Sequence, residues 1–313
     1  MTTPAQRQNL VLGCATGYTP EQLLPFVSSL RGSGFEGELA LVIYEDQRGA
    51  LASLAGQYSV NLIAISRTPA WLPKRVGCRV QNRGRMRWLH KCLGGTLPPL
   101  LRSGAILSFL GWHVHYFFHI SCGRYFLYYS YLRRRRGDYN VLLTDVRDVI
   151  FQDDPFRYSP GDGLHYFMDP TVCIGDEPLN AEWVTLAFGE AYCASRKGSR
   201  ISCAGTTMGP LAPMMTYLQG MCIELMRAVA SIAGLFGVDQ AVHNYLLWEG
   251  KLPGVVLCEN GRDAVMTLKN ADIKMHGMDG ESRILNMDGH PAPVLHQYDF
   301  HPILAARFKH EGG

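Results

Sequence analysis

Two carboxylates three residues apart, Asp145 and Asp148, follow an apolar run, Val141-Leu142-Leu143, within the segment Tyr139 to Phe156, YNVLLTDVRDVIFQDDPF. The run is short and continuous, the pattern of a buried parallel strand. Acids at the carboxyl end of such a strand face the crevice in which open α/β sheets bind ligands. A hard divalent cation is typically held by one or two carboxylates together with substrate phosphates, so the pair suits a metal–diphosphate complex. A solvated acidic turn, with Asp148 paired to Arg147 or capping a helix, fits the same residues.

The elements upstream have the order a nucleotide site needs. Asn9 to Cys14 reads as a first buried strand, and Ala15-Thr16-Gly17-Tyr18 as a tight loop. Thr19, Pro20 and Gln22 have the layout of an N-cap, a first-turn proline and a capping box. Leu23, Leu24, Val27 and Leu30 give the helix an apolar face, which Gly32 and Gly34 end. Glu38 to Tyr44 and Ser59 to Ser66 are further strands, which makes the start of the chain a βαβαβ half-fold. The G-x-G-x-x-G fingerprint is absent, which argues against a dinucleotide cofactor.

Cys122 to Leu132 is predicted as an amphipathic helix under the central strand, with Arg124 and Tyr128 on one face. Arg133 to Arg136 closes it, where cations meet the helix dipole favourably. The same four arginines could attract an acidic acceptor or make peripheral contact with a membrane surface. Arg75 to His90 is also basic, either a solvated face or a source of phosphate contacts.

Downstream, Leu164 to Met168 is a strand ending at Asp169-Pro170, and Asn180 is read as the cap of a helix reaching about Ser195. Ile201 to Gly209 is a strand and loop whose small residues include Gly205 and Thr206, suited to close ligand approach or simply to packing. A long apolar helix follows from Pro210 to Ala233, then a helix starting near Val238 with Asp239 as a candidate N-cap. Val255 to Leu257 and Ala264 to Leu268 are short strands. The fold class expected is α/β, a mostly parallel central sheet flanked by helices. Residues 1–154 and 155–313 are expected as two halves that share one sheet in one domain.

Composition narrows the function classes. With 47% hydrophobic and 18% charged residues the 313-residue chain can bury a sizeable core. A net charge of +3 gives no case for a nucleic-acid partner. Nine cysteines without zinc-type spacing imply reduced thiols, and MTTPAQRQNLVLG lacks signal-peptide features, so a cytoplasmic location is expected. Ile106 to Ile120 is apolar and aromatic but short of the ~20 residues that span a bilayer. With three histidines it reads as an interior or interfacial segment, and no transmembrane helix is expected.

Three motifs in order, TDVRDVIFQDDPF, then ISCAGTTMG with VDQAVHNYLL, then HQYDFHP, resemble the GT-A-fold nucleotide-sugar glycosyltransferases, in particular the retaining, glycogenin-like grouping. The resemblance implies a D-x-D-type site in which Asp145, Asp148 and a histidine from the C-terminal tail, His296, bind Mn²⁺ or Mg²⁺. It places the nucleoside-diphosphate sugar against Ala15, Thr16, Gly17, Arg124, Tyr128, Asp145, Gly205 and Thr206. Asp239 and Gln240 then lie beside the sugar's reacting carbon as the catalytic pair. The implied reaction is metal-dependent transfer of a sugar to an unidentified acceptor, with retention. The motif departs from the family in being D-x-x-D, with Arg147 where the second acid usually stands, so Asp148 either binds metal or fixes Arg147. A sugar-1-phosphate nucleotidyltransferase and a non-catalytic nucleotide-sugar-binding protein of the same fold are the alternatives.

Overall fold

The computed structural model describes residues 7–68, 95–116, 118–158, 161–232 and 236–310; the basic segment 75–90 lies outside them. Four strands, β1 (Gln8–Cys14), β2 (Glu38–Tyr44), β3 (Val60–Ile65) and β4 (Tyr139–Thr144), run parallel in the order β3-β2-β1-β4. Every residue of β4 is buried, as its unbroken apolar run predicts. The other main-sheet strands are β6 (Leu164–Cys173), β7 (Arg200–Pro210) and β8 (Val255–Cys258). β7 joins β4 antiparallel, β6 joins β7 antiparallel, and β8 runs parallel to β6. The result is a mostly parallel α/β sheet of seven strands in which β7 alone is reversed, and both halves of the chain contribute to it.

β1 leads outward to β2 and β3, while β4 leads to the other side, so the chain reverses direction between them. The crevice at such a switch point opens where the carboxyl ends of the two strands diverge, and Asp145 follows β4 there. Helix α1 (Pro20–Gly32) forms with the cap expected: Thr19 Oγ1 accepts the Gln22 N–H at 3.4 Å and Gln22 Oε1 accepts the Thr19 N–H at 2.9 Å. Its apolar face also includes Phe26, whose ring meets Phe151 edge-on at 5.2 Å. Helix α2 (Arg48–Gln57) links β2 to β3.

The apolar segment 106–120 divides between helix α3 (Gly104–Val114) and the start of α4 (Ile120–Leu132). Among the described residues no helix is long and apolar enough to cross a membrane. α4 is not the amphipathic helix expected. Nine of its thirteen residues are buried, because it runs between the sheet, α3 and the long helix α7 (Leu211–Ile232). Two other helix starts also differ from expectation. Helix α5 (Pro178–Phe188) is capped by Glu177, whose carboxylate accepts the Asn180 N–H at 2.8 Å, and Gly189 (φ 93°) separates it from α6 (Glu190–Ser195). Helix α8 (Val238–Trp248) takes Gly237 (φ 87°) as its N-cap, so Asp239 is a first-turn residue free of capping duty.

α8 repairs an irregularity in the sheet. The β6–β7 register shifts on both sides of Met168, which deprives part of β7 of strand partners. Gln240 and Asn244, one helical turn apart, supply them. Gln240 Nε2 donates to Ser202 O at 2.8 Å and its Oε1 accepts the Ala204 N–H at 2.7 Å, while Asn244 bonds both backbone groups of Ser202 at 2.9 Å. Buried peptide groups need partners, and this pair provides them where the ladder does not. A final, three-stranded sheet was not foreseen: β5 (Val149–Phe151), β10 (Val294–His296) and β9 (Val265–Thr267) in the order β5-β10-β9, with β10 antiparallel to β5.

Between Gln240 and Asn244 lies His243, wholly buried, with Tyr217 Oη 2.8 Å from Nδ1 and Ser202 Oγ 3.1 Å from Nε2. Burial, helped by the Arg124 charge, lowers its pKa to about 3. A histidine whose folded pKa lies below its unfolded value stays neutral while the unfolded chain takes up a proton, so its contribution is lost as pH falls below about 6.5. Denaturant melts should show stability declining between pH 6.5 and 3 with a contribution of up to ~1.4 kcal/mol per pH unit from this residue. His243→Gln should flatten that slope by about one proton, and an unchanged slope removes His243 from the account.

Candidate functional site

The end of β4 and the end of β10 meet because β10 pairs with β5, only four residues beyond β4. His296 stands opposite Val149, the residue after Asp148, and the Gln297 N–H donates to Asp148 O at 2.7 Å. The chain then turns sharply at Gln297, in the left-handed region at φ 58°. On the other side, the Asp145 N–H donates to Gly205 O at 2.7 Å, which fastens the acidic loop to β7.

These contacts bring one ligand atom each from Asp145, Asp148 and His296 within 4.8 Å of one another. His296 is fully buried, and neither ring nitrogen has a hydrogen-bond partner; Nε2 lies 3.9 Å from Asp145 Oδ2, beyond hydrogen-bond reach. A buried imidazole with both nitrogens unsatisfied is costly unless something else meets them. Two carboxylates and an imidazole form a donor set that fits a divalent cation, and Mn²⁺ better than Mg²⁺, which imidazole suits poorly. Gly205 keeps the space open: a Cβ there would lie 2.6 Å from Asp145 Oδ2 and 2.7 Å from His296 Nε2. Its value is therefore in admitting these two side chains, beyond any approach by a ligand.

The electrostatics have the same bias. Burial works to raise the Asp145 pKa, but the Arg124 guanidinium, with His296, holds it well below the usual carboxylate range. Asp148 is displaced upward, by burial and by the nearby charges of Asp145 and Asp299. For His296, burial opposes protonation, yet Cys203 and the two carboxylates raise its pKa well above normal. A buried group of acids that favours a proton on its histidine is a group short of positive charge.

Arg147 does not take Asp148: it pairs with Asp299 at 3.2 Å. Arg124, on α4, joins Asp145 and Asp239, the latter at 3.1 Å, so one guanidinium bridges the end of β4 and the first turn of α8. Asp239 is 5% exposed and Arg124 lines a cavity of about 460 Å³ beside it, within the usual span of small-molecule sites. Thr16, Asp145, Asp148, Gly205, Asp239 and Gln240 also face that cavity. The side-chain amide of Gln240 is already engaged by β7, which gives it a positioning part.

Four expected donor contacts lie off the cavity wall. Ala15 is buried with its N–H on Val42 O, and exposed Gly17 donates its N–H to Gln47. Tyr128 is buried in the helical core, and Thr206 is buried in β7 opposite Thr144. Chain direction explains the last: along β7 side chains alternate, and the residue after Gly205 points to the opposite face.

Four groups on the cavity wall are not among the expected site residues. Lys269, which pairs with Glu177 at 3.1 Å, sits over the Phe300 ring. Trp183 and Phe236 meet edge-on at 5.8 Å. Asp169 has an unpartnered buried oxygen, and burial pushes its pKa up to about 6. Its place at the end of an apolar strand run was the one signal available. No protein-family model and no curated protein matches the chain.

Gly205→Ala tests the closeness of this cluster without reference to any ligand. Forcing a methyl between Asp145 and His296 should cost ~1–3 kcal/mol by overpacking, measured by urea denaturation. Wild-type stability in that variant contradicts the packing described.

Proposed function

We propose that the protein is a metal-dependent glycosyltransferase of the GT-A type, moving a sugar from a nucleoside-diphosphate sugar to an acceptor. The observation that carries this is the convergence of Asp145, Asp148 and the unsatisfied His296 imidazole at the switch point of a Rossmann-like sheet. Asp145, Asp148 and His296 would hold the cation. A divalent metal bound there supplies stabilisation of the negative charge that grows on the departing diphosphate, worth several kcal/mol.

The chain's own groups divide the remaining work. Arg124 fixes the Asp145 carboxylate in its ionised, ligand-ready form and holds Asp239 on the cavity wall. Arg147 and Lys269 add further cations facing the same space. The exposed rings of Phe236 and Phe300 on the cavity wall offer flat surfaces for a base or a sugar face. The N-terminal ends of α4 and α8 also border the cavity, and their dipoles favour phosphate there.

Retention is the proposed outcome. Asp239 is buried and tied to Arg124, a position that suits stabilising positive charge near the reacting carbon better than carrying a proton away. Inversion is the second reading, and one observation favours it: Asp169, with a free oxygen and a pKa near 6, is a suitable acceptor base. A nucleotidyltransferase fits less well, because the loop after β1, Ala15 to Tyr18, brings no cation to the site. A non-catalytic binding protein would bind a donor without cleaving it.

Incubation with a panel of nucleoside-diphosphate sugars and Mn²⁺ should release nucleoside diphosphate slowly even without acceptor. Asp145→Asn should abolish that release with the fold intact by circular dichroism. His296→Ala should weaken Mn²⁺ binding in calorimetry by more than the ~10–100-fold typical of losing an outer-shell partner. If no donor binds or is hydrolysed, the glycosyltransferase reading fails; if one binds uncleaved, the binding-protein reading replaces it.

A further inference from the structure

Between Asp46 and Asp138 the chain contains no aspartate or glutamate at all, yet it carries fifteen of the thirty lysines and arginines, from Arg48 to Arg136. The near-neutral total conceals this block. A long one-signed segment of this kind marks attraction to an anionic partner.

The described part of the block shows what kind of surface it makes. Helix α3 has no aspartate, glutamate, lysine or arginine and is apolar apart from Ser108 and the exposed His113. Its inner face, with Leu107, Gly111 and Val114 buried, packs against α4, where a Cβ on Gly111 would strike Ser130 and Phe126. The outer face presents Phe109 at 70% exposure and Ile106 at 38% together with the exposed His113 ring, and Leu100, shortly before the helix, is 50% exposed. Large apolar side chains on an outer helix face favour a nonpolar environment, and this helix has a core on one side only.

Arginines frame that outer face. Arg133 lies against the start of α3, so that a Cβ on Gly104 would be 3.5 Å from its Nε. The Arg134 guanidinium sits 5.0 Å from the Trp112 ring centre at the other end, and Arg102 is exposed at the helix entrance. Of the run 133–136 it is Arg135 that is neutralised, by Glu38. Among the described residues no carboxylate pairs with Arg102, Arg133, Arg134 or Arg136.

We propose that this face docks on an anionic lipid bilayer. Exposed aliphatic and aromatic side chains bordered by arginines match the interfacial layer, where apolar groups enter the acyl boundary and cations meet acidic headgroups. Nucleic acid matches less well, because beside the Phe109 and His113 rings the exposed groups are the aliphatic Ile106 and Leu100, on which a base does not stack. A second copy of the chain matches poorly too, since a two-fold contact through this face would set its arginines against their own counterparts. The inference rests on α3 and on Arg102, Arg133 and Arg134 around it, independently of the metal cluster.

The test is co-sedimentation of the full chain with phosphatidylcholine vesicles, with and without phosphatidylglycerol, at low and high salt, alongside poly(U) RNA binding and gel filtration. The expected result is binding to the phosphatidylglycerol vesicles alone, weakened by salt. Phe109→Ser and the double variant Arg133→Ser/Arg134→Ser should each bind these vesicles at least ~10-fold more weakly. All these side chains are exposed, so the variants should keep the wild-type thermal melt. Equal binding to pure phosphatidylcholine, binding to RNA but not vesicles, a dimer broken by Phe109→Ser, or well-folded variants that bind like wild type would each overturn the proposal. Donor hydrolysis should proceed unchanged in both variants, which separates this result from the fate of the sugar-transfer reading.

Discussion

The uncompensated negative charge at the end of β4 is the constraint around which the cavity is arranged. Asp145 is anchored through its backbone to β7 and through its carboxylate to Arg124, and that same guanidinium reaches Asp239 at the start of α8. Asp148 and His296 complete the charge cluster from the neighbouring small sheet. Removing one partner from such a group leaves others buried without compensation, and the penalty for that exceeds what any single pair contributes. The helices therefore do more than cover the sheet: α4 and α8 are placed so that their first turns bring charge to one point.

Much of the frame was legible in the chain. The capping box at Thr19 to Gln22, the parallel strands and the acidic turn after Leu143 all follow local rules that tertiary contacts reinforced. In the acidic turn the expected alternative of an Asp148–Arg147 pair does not form, since Arg147 finds Asp299 and Asp148 lies with Asp145 and His296. Of the small sheet only β9 was legible, as the strand Ala264 to Leu268; β5 and β10, with three residues each, are too short for any periodicity to register. Hence the position of His296 could be expected only through resemblance, whereas its burial against Val149 is a product of pairing.

Other misreadings share one cause, competition between residue type and context. Gln240 has the look of a catalytic residue, but the shifted β6–β7 register needs its amide, and that of Asn244, for its backbone. Thr206 offers a hydroxyl, but strand alternation turns it inward. α4 carries polar and tyrosine residues that suggest an exposed face, yet α3 and α7 enclose it. The total charge conceals a pattern of another kind, because a sum of +3 averages an acid-free third of the chain with a remainder rich in carboxylates.

The pairing of β10 with β5 also has a meaning for the order of folding. Its two strands lie more than a hundred residues apart, so the three cluster residues cannot assemble until nearly the whole chain has been made and the intervening segment has closed as a loop. Any ion that prefers the assembled cluster shifts the equilibrium toward the docked tail by mass action. Competence at the site and completion of the fold are thus the same event, and a partly folded chain would lack the cluster altogether.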